Sequence, residues 1–253
     1  MRTQGHQLGR WELSLFPDAG EAGGSWQPLE GGSGKRRPGR PEDLEVWLAR
    51  EAERARDEAA RRARSKVRRY CAANGLNRLG TLTYAGEGCH EPKQLRADLG
   101  RFFRRLRDGV GERFAYLWVP EWHASGHGLH AHFAVGRFIP RGLIENAWGH
   151  GFVHIKLIGN LPVGSGARAE ARAAAGYLAK YISKDMERAS GLNRYDVAQG
   201  FQPIRHRLHA PTDSEVIGLA SQQMGGEAPG VVWRSVDHLE TWSGPPALWL
   251  LWP

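Results

Sequence analysis

The sequence predicts an α+β protein in which helices pack on one face of an antiparallel sheet. Three observations lead to this class. Short β-prone segments alternate with amphipathic helical segments along the middle of the chain. Two of the β-prone segments are separated only by a short stretch that contains glycine, which favours antiparallel neighbours. Apolar residues make up 41% of the 253 residues, which is enough for a core of useful size.

The predicted elements follow the order β-α-β-β-α-β-α. The first strand, residues 79–84, reads LGTLTY and alternates apolar with polar side chains. The helix at residues 92–108 places Leu95, Leu99 and Phe102 on one side. This order is typical of an α+β sandwich. The other predicted elements are strands at 114–119, 130–135 and 152–158 and helices at 141–148 and 167–186.

Composition divides the chain into four predicted segments. Residues 1–40 are rich in Gly, Pro and charge without a sustained period, which predicts a disordered, mobile tail. Residues 41–69 are mostly Ala, Glu and Arg and predict a charged helix. Residues 70–190 hold the predicted sheet and its helices. Residues 191–253 form a Trp-rich carboxyl-terminal extension, whose four tryptophans predict a small subdomain packed by aromatic side chains.

Charge narrows the classes of partner. The net charge of +8 and the pI near 9.9 favour a polyanion. Residues 59–69 carry Lys and Arg with no acid, so this stretch is either a solvated helix face or a phosphate-contacting arm. No apolar run approaches the ~18 residues of a membrane span. The amino terminus lacks a signal-peptide pattern and the chain has two cysteines, so a cytoplasmic protein is expected.

A His-x-His pair predicts a metal site. His130 and His132 are two residues apart on a predicted strand, so both imidazoles point to one face. Glu121 lies at the end of the preceding strand, where the turn can bring its carboxylate back toward the pair. Two imidazoles and one carboxylate suit a catalytic divalent metal. His123 and His127 are nearby substitutes for Glu121, and a chance His-x-His pair in a strand is the competing interpretation.

Two tyrosines lie four residues apart on the last predicted helix. Tyr177 and Tyr181 therefore share one helical face, which Lys180 and Lys184 flank. A phenol has a pKa near ~10 and needs electrostatic help to act as a nucleophile at neutral pH. Lysines, or a metal that polarises the electrophile, supply such help. The competing interpretation is a pair of core tyrosines with solvated lysines.

These motifs together resemble the HUH-endonuclease superfamily, in particular the rolling-circle replication initiator (Rep) proteins of bacterial plasmids and phages. The resemblance covers roughly residues 76–187. The first-strand motif resembles residues 81–84 (TLTY), the His motif matches residues 129–133 (LHAHF) and the tyrosine motif matches residues 177–185 (YLAKYISKD). The implied fold is the HUH endonuclease fold, a ferredoxin-like or RRM-like antiparallel sheet with helices packed on it.

The resemblance also implies an activity. The protein would be a site-specific single-stranded DNA endonuclease and strand transferase that nicks a replication origin through a 5′-phosphotyrosine intermediate. His130, His132 and Glu121 would hold Mn²⁺ or Mg²⁺. Tyr181 is the preferred nucleophile because the Lys-Asp pair follows it, Tyr177 would perform a second transfer, and the order of the two tyrosines stays open. Lys184 or Lys180 would neutralise charge on the phosphate.

Further residues are candidates for DNA contact, and other functions compete. The DNA-binding candidates are Thr81, Thr83, Arg101, Arg104, Arg105 and Trp122. No helicase motif follows the tyrosines, so a host helicase and a polymerase are expected partners. A relaxase or transposase would use the same chemistry. A non-catalytic RRM-like nucleic-acid-binding module is the rival from another class.

Overall fold

A computed structural model describes residues 9–29, 44–156, 166–182, 192–238, 240, 242 and 244–253. The chain divides into two compact units. Residues 53–202 form one, here named the central unit, and residues 1–52 together with 203–253 form the other, the terminal unit. Each unit contains a five-stranded antiparallel sheet, and the described part of the chain contains five α-helices. The predicted α+β class is therefore confirmed.

The central sheet has the strand order β6-β3-β5-β4-β7, in which every neighbouring pair is antiparallel. Strands β4 and β5 form the hairpin that the short glycine-containing connection predicted. Strand β6 is an edge strand, so one of its sides has no neighbour within the sheet. The strands are β3 (Arg78–Tyr84), β4 (Tyr116–Trp122), β5 (Leu129–Val135), β6 (Gly151–Lys156) and β7 (Asp196–Val197).

Helices cover both faces of the central sheet, so the prediction of helices on one face is wrong. The helices are α1 (Leu44–Ala73), α2 (Pro92–Val110), α3 (Arg141–Trp148) and α4 (Gly166–Ile182). Helices α2 and α3 pack through Phe102 and Trp148 on the face that contains Leu82 and Phe133. Helices α1 and α4 pack on the opposite face, which contains Leu79 and Val119 in strands β3 and β4. Two cores result because alternate residues of one strand point to opposite faces.

The terminal unit corrects the predicted mobile tail, which is wrong for residues 9–28. Strands β1 (Gly9–Phe16) and β2 (Glu21–Pro28) form a hairpin there. They join β8 (His206–Ala210), β9 (Val231–Arg234) and β10 (Ala247–Leu251) in the order β8-β1-β2-β10-β9. Leu13 and Leu15 are buried with Leu248, Leu250 and Trp252, beside α5 (Asp213–Gln223). Distant segments thus supply the apolar partners that residues 9–28 lack in their own neighbourhood.

The other predicted elements agree with the structure in type. The helix predicted at 41–69 begins at Leu44 and continues to Ala73, and the predicted helix at 141–148 has the bounds Arg141–Trp148. Glu91 caps α2 by accepting a hydrogen bond from the Lys93 backbone N–H, and Gly111 ends it with a left-handed backbone. Residues 1–8 and 30–40 of the predicted tail lie outside the described residues. None of the described helices is long and apolar enough to cross a membrane.

Candidate metal and tyrosine site

The candidate site lies on the face of the central sheet that α1 and α4 cover. Pairing registers across four strands place its residues in two adjacent rows. In the strand order β4, β5, β3, β6, one row is Glu121, His130, Thr83 and Phe152, and the next is Val119, His132, Thr81 and His154. Paired residues of antiparallel strands share a face, so the hairpin alone brings the carboxylate and both imidazoles together.

Glu121, His130 and His132 form a compact donor cluster. One carboxylate oxygen of Glu121, Oε2, is 2.9 Å from Nε2 of His130 and 2.8 Å from Nε2 of His132. Among the described residues this cluster has the composition and spacing to hold a metal ion, its three ligand atoms lying within 4.8 Å of one another. Ligand atoms about 2.1 Å from one ion, at right angles to each other, lie about 3 Å apart. The donor set and its spacing therefore fit a divalent cation.

A glycine turn fixes the hairpin that carries the cluster. Gly128 has φ 91°, a left-handed conformation that other residues rarely adopt. A Cβ atom at this position would lie 2.3 Å from the backbone oxygen of Cys89. Because no side chain fits there, the chain returns closely enough for Glu121 to pair with His130.

Thr81 orients one of the imidazoles. Its Oγ1 lies 2.9 Å from Nδ1 of His132, on the ring nitrogen opposite the one that faces Glu121. When Thr81 accepts a hydrogen bond from Nδ1–H, the lone pair of Nε2 is directed toward the cluster, as metal ligation requires. The sequence analysis named Thr81 as a DNA contact, and the structure places it against a metal-ligand candidate.

The two substitute histidines are engaged elsewhere. Nδ1 of His123 is 2.6 Å from the Ser125 hydroxyl, and Nε2 of His127 is 3.0 Å from the Tyr84 backbone oxygen. The ring of His123 lies 5.2 Å from that of His130. Neither histidine belongs to the compact donor cluster among the described residues, which Glu121 completes.

Both tyrosines face the cluster from α4. The Tyr181 ring stacks on His132 with centroids 3.8 Å apart and planes 16° apart. The Tyr177 ring lies 6.1 Å from His132, and the Tyr181 hydroxyl donates to the Tyr177 hydroxyl at 2.8 Å. Burial, followed by the hydrogen bond and the negative charge of Tyr177 and the charge of Glu121, raises the pKa of Tyr181 above its usual value. Tyr181 is thus the tyrosine in contact with the donor cluster.

Positive charge approaches Tyr177 from two directions. Nζ of Lys156, at the end of β6, lies 4.5 Å from the Tyr177 ring centroid, and Nζ of Lys180 lies 5.8 Å from it. The sequence analysis named Lys180 but missed Lys156. A Lys at the end of a strand carries no signal of its own, because the position follows from the pairing of β3 with β6. Lys184 lies outside the described residues.

The predicted arginines are not brought to this site. Arg101, Arg104 and Arg105 belong to α2, which packs on the opposite face of the sheet. Arg101 forms an ion pair with the buried Asp98, and Arg105 donates to the Ala147 backbone oxygen at 3.3 Å. Their role in DNA binding stays a prediction, and no feature of the cluster requires it.

Trp122 and Thr83 differ in their relation to the cluster. Trp122 follows Glu121 in the strand and packs its ring with the core on the other face of the sheet. Thr83 lies in the Glu121 row, between His130 and Phe152. Of the two, only Thr83 shares a face with the donor cluster.

An exposed stripe on the edge strand borders the cluster and was missed by the sequence analysis. Phe152, His154 and Lys156 alternate on the face that carries the two rows, and all three are exposed. Phe152 is 69% exposed, which is unusual for an aromatic side chain next to a polar cluster. The alternation of an aromatic ring with basic side chains is the composition of a single-strand nucleic-acid surface.

The fold and the site together define a class of protein. An antiparallel α+β domain that holds a His-x-His and Glu cluster against a tyrosine-bearing helix has the arrangement that the HUH-superfamily resemblance implied.

A family comparison confirms this resemblance. Residues 77–186 match the family described as Replication-associated protein ORF2, which is of the rolling-circle replication initiator type. The match supports a role in the initiation of replication, and the matched residues include every member of the donor cluster and both tyrosines. No curated protein and no solved structure matches the chain.

Proposed function

We propose that this protein nicks and rejoins single-stranded DNA at a replication origin, through a 5′-phosphotyrosine intermediate, to initiate rolling-circle replication. The observation that carries the proposal is the stacking of Tyr181 on His132, one of three residues in a cluster that fits a metal ion. This contact joins the two requirements of phosphodiester transfer by a phenol, namely a positioned nucleophile and a site of charge stabilisation.

The residues of the donor cluster have a defined task in this proposal. Mn²⁺ or Mg²⁺ held by Glu121, His130 and His132 polarises the scissile phosphodiester. Thr81 holds the His132 ring in the tautomer that leaves Nε2 available. The largely buried positions of both histidines limit the number of ring orientations and reduce competition from water.

The covalent step exchanges one phosphodiester for another. Oη of Tyr181 forms a bond to phosphorus while the bond between phosphorus and the 3′ oxygen breaks. The phenol loses its proton and the 3′ oxygen gains one, so the products are a 5′-phosphotyrosine and a free 3′-hydroxyl. Tyr177, hydrogen-bonded to Tyr181 and close to Lys156 and Lys180, performs the second transfer. A host polymerase extends the 3′ end and a host helicase separates the strands.

Trapping of a covalent adduct tests this function. The protein is incubated with a randomised pool of labelled single-stranded DNA and Mn²⁺, and the products are separated on a denaturing gel. We expect a protein–DNA adduct from the wild type, and none from the variant Tyr181→Phe or from the double variant with Tyr177→Phe. Tyr116→Phe is the matched control, because Tyr116 stacks on Phe103 in the core of the opposite face of the sheet. Sequencing of the trapped DNA identifies the preferred site.

Two outcomes would contradict the proposal. Cleavage that persists in the double tyrosine variant removes the tyrosines from the chemistry. Single-strand binding without cleavage by the wild type, at any Mn²⁺ or Mg²⁺ concentration, supports the non-catalytic module instead. His130→Ala is expected to retain DNA binding and to lose cleavage in limiting metal.

A further inference from the structure

A basic groove lies between α1 and α4, away from the metal and tyrosine site. Its cavity volume is about 380 Å³. Four arginines and four small or hydroxyl residues line it, and no acidic residue does: Arg61, Arg64, Ser65 and Arg68 of α1, and Arg172, Ala175, Gly176 and Ala179 of α4. Both sets have the i, i+3, i+4, i+7 spacing of a single helix face, so the two helices present facing stripes.

The geometry of α4 relates this groove to the tyrosines. At about 100° per residue, the stripe from Arg172 to Ala179 and the stripe of Tyr177 and Tyr181 lie on nearly opposite sides of the helix. The buried stripe that includes Ala174 and Leu178 lies between them. One helix therefore presents a reactive side and a basic side, separated by about 10 Å, the diameter of a helix with its side chains.

The composition of the groove selects a phosphodiester backbone as its ligand. Guanidinium groups bind phosphate oxygens bidentately, and four of them in a groove that no acidic residue lines make a strongly positive channel. The floor consists of small residues, and the space around Gly176 is open, so a strand can approach the backbone of α4. A volume of this size admits part of one strand and is too small for a duplex, which has two backbones on either side of a groove about 12 Å wide.

We infer that the groove between α1 and α4 binds the backbone of single-stranded DNA outside the nicking site. This inference rests on the proposed DNA-nicking function. The groove extends the DNA-binding surface onto α1, a helix that precedes the residues matched by the replication-associated family. It also assigns a role to the basic stretch at residues 59–69, which a solvated face would leave without one.

The salt dependence of binding to a long oligo(dT) measures these contacts. Oligo(dT) is a suitable probe because backbone neutralisation is independent of sequence. In the variant Arg61→Gln, Arg64→Gln, Arg68→Gln, we expect a plot of the logarithm of the association constant against the logarithm of salt concentration to become shallower by about 2, since each phosphate contact on a single strand contributes about 0.7. The variant Ala179→Glu keeps every arginine and places a carboxylate in the groove, and it is expected to weaken binding of the same probe.

A matched control removes the same charge elsewhere. Arg141→Gln, Arg205→Gln, Arg207→Gln also lowers the net charge by three, at positions outside the groove. It is expected to keep a slope close to that of the wild type, and thermal unfolding checks that each variant folds. Equal slopes in the groove variant and the control would overturn the inference. Loss of binding to poly-glutamate with unchanged oligo(dT) binding would also overturn it, in favour of an acidic protein partner.

The two proposals fail in different ways. If the nicking function is wrong, the wild type forms no adduct while the groove variant still has a shallower slope. If the groove inference is wrong, the adduct forms and the slope of the groove variant equals that of the control.

Discussion

Single side chains decide whether the donor cluster is ready for a metal. Glu121 provides one oxygen to two imidazoles, so His130 and His132 must each present an unprotonated Nε2 when a cation is bound. For His132, the position of the proton on the other ring nitrogen is controlled by Thr81. The threonine is therefore a positioning residue whose effect reaches the site through His132.

Replacement of Thr81 tests this control. Thr81→Val keeps the shape of the side chain but removes the acceptor, and we expect the affinity for Mn²⁺ to fall about 10- to 100-fold, as for other partners of metal ligands. Thr81→Ser keeps the hydroxyl and is expected to retain most of the affinity. Titration calorimetry with Mn²⁺ measures both variants. Equal loss in the two variants would assign Thr81 a packing role alone.

At the scale of elements, strand β6 provides the open border of the site. As an edge strand it presents Phe152, His154 and Lys156 without a neighbouring strand to cover them. Phe152 lies in the same row as His130 and Glu121. A base stacked on Phe152 would therefore lie close to the donor cluster.

The two most exposed phenylalanines of the chain permit a matched comparison. Phe152 is 69% exposed and borders the site, whereas Phe138 is 71% exposed and follows β5 at the other end of the strand. Phe152→Ala is expected to weaken single-stranded DNA binding by about 1–3 kcal/mol, the cost of one lost stacking contact. Phe138→Ala is expected to bind as the wild type does. Fluorescence anisotropy measures both, and similar losses would contradict a specific role for Phe152.

Helix α2 contains a buried carboxylate that links it to the sheet and to α3. Asp98 is 1% exposed and accepts hydrogen bonds from the Tyr84 hydroxyl at 2.7 Å and from Gln94 at 2.9 Å, with Arg101 and His150 beside it. Burial acts to raise the pKa of Asp98, but these hydrogen bonds and the positive charges of His150 and Arg101 outweigh it, so the pKa lies below its usual value.

A lowered carboxylate pKa makes stability depend on pH in acid. Its contribution is present above the unfolded-state pKa, about 3.9, and is lost as the pH falls through the lower folded-state value. Asp98→Asn is expected to lower the free energy of unfolding near neutral pH by about 3 kcal/mol and to flatten its decline in acid. Urea unfolding at a series of pH values checks this. Asp108→Asn, exposed on the same helix, should leave the curve unchanged.

At the scale of the whole molecule, the two ends of the chain build one sheet. Strand β2, near the amino terminus, pairs with β10, near the carboxyl terminus, and Ala22 lies between Leu15 and Leu250 in register. All three are fully buried. The described residues of this terminal unit carry more acidic than basic side chains, whereas those of the central unit are strongly basic. The positive net charge therefore belongs to the unit that carries the candidate site.

Core truncation in the terminal unit tests this assembly. Leu15→Ala and Leu250→Ala are each expected to cost about 2–5 kcal/mol and to lower the temperature of the same unfolding transition, because both side chains belong to one core. Val236→Ala, at an exposed position of the same unit, is expected to change stability by less than about 0.5 kcal/mol. Calorimetry measures all three. Loss in Leu250→Ala without loss in Leu15→Ala would separate the two strands.

The amino-acid sequence by itself predicted what depends on local pattern. The alternation in residues 79–84, the helical spacing of Tyr177 and Tyr181 and the two-residue spacing of His130 and His132 placed these residues on the correct elements. Glu121 was also accessible to this reasoning, because a hairpin pairs residues that are close in sequence. The family comparison agrees with that assignment over residues 77–186.

Only the tertiary structure decided the features that depend on pairing between distant segments. The approach of Lys156 to Tyr177, the exposure of Phe152 beside the donor cluster and the use of residues 9–28 as strands all follow from strand partners far away in the chain. Local composition made residues 9–28 resemble a mobile tail, because their glycines and charges have no apolar partner nearby. Strands β8 and β10 supply that partner, and the burial of Leu13 and Leu15 against them stabilises the hairpin.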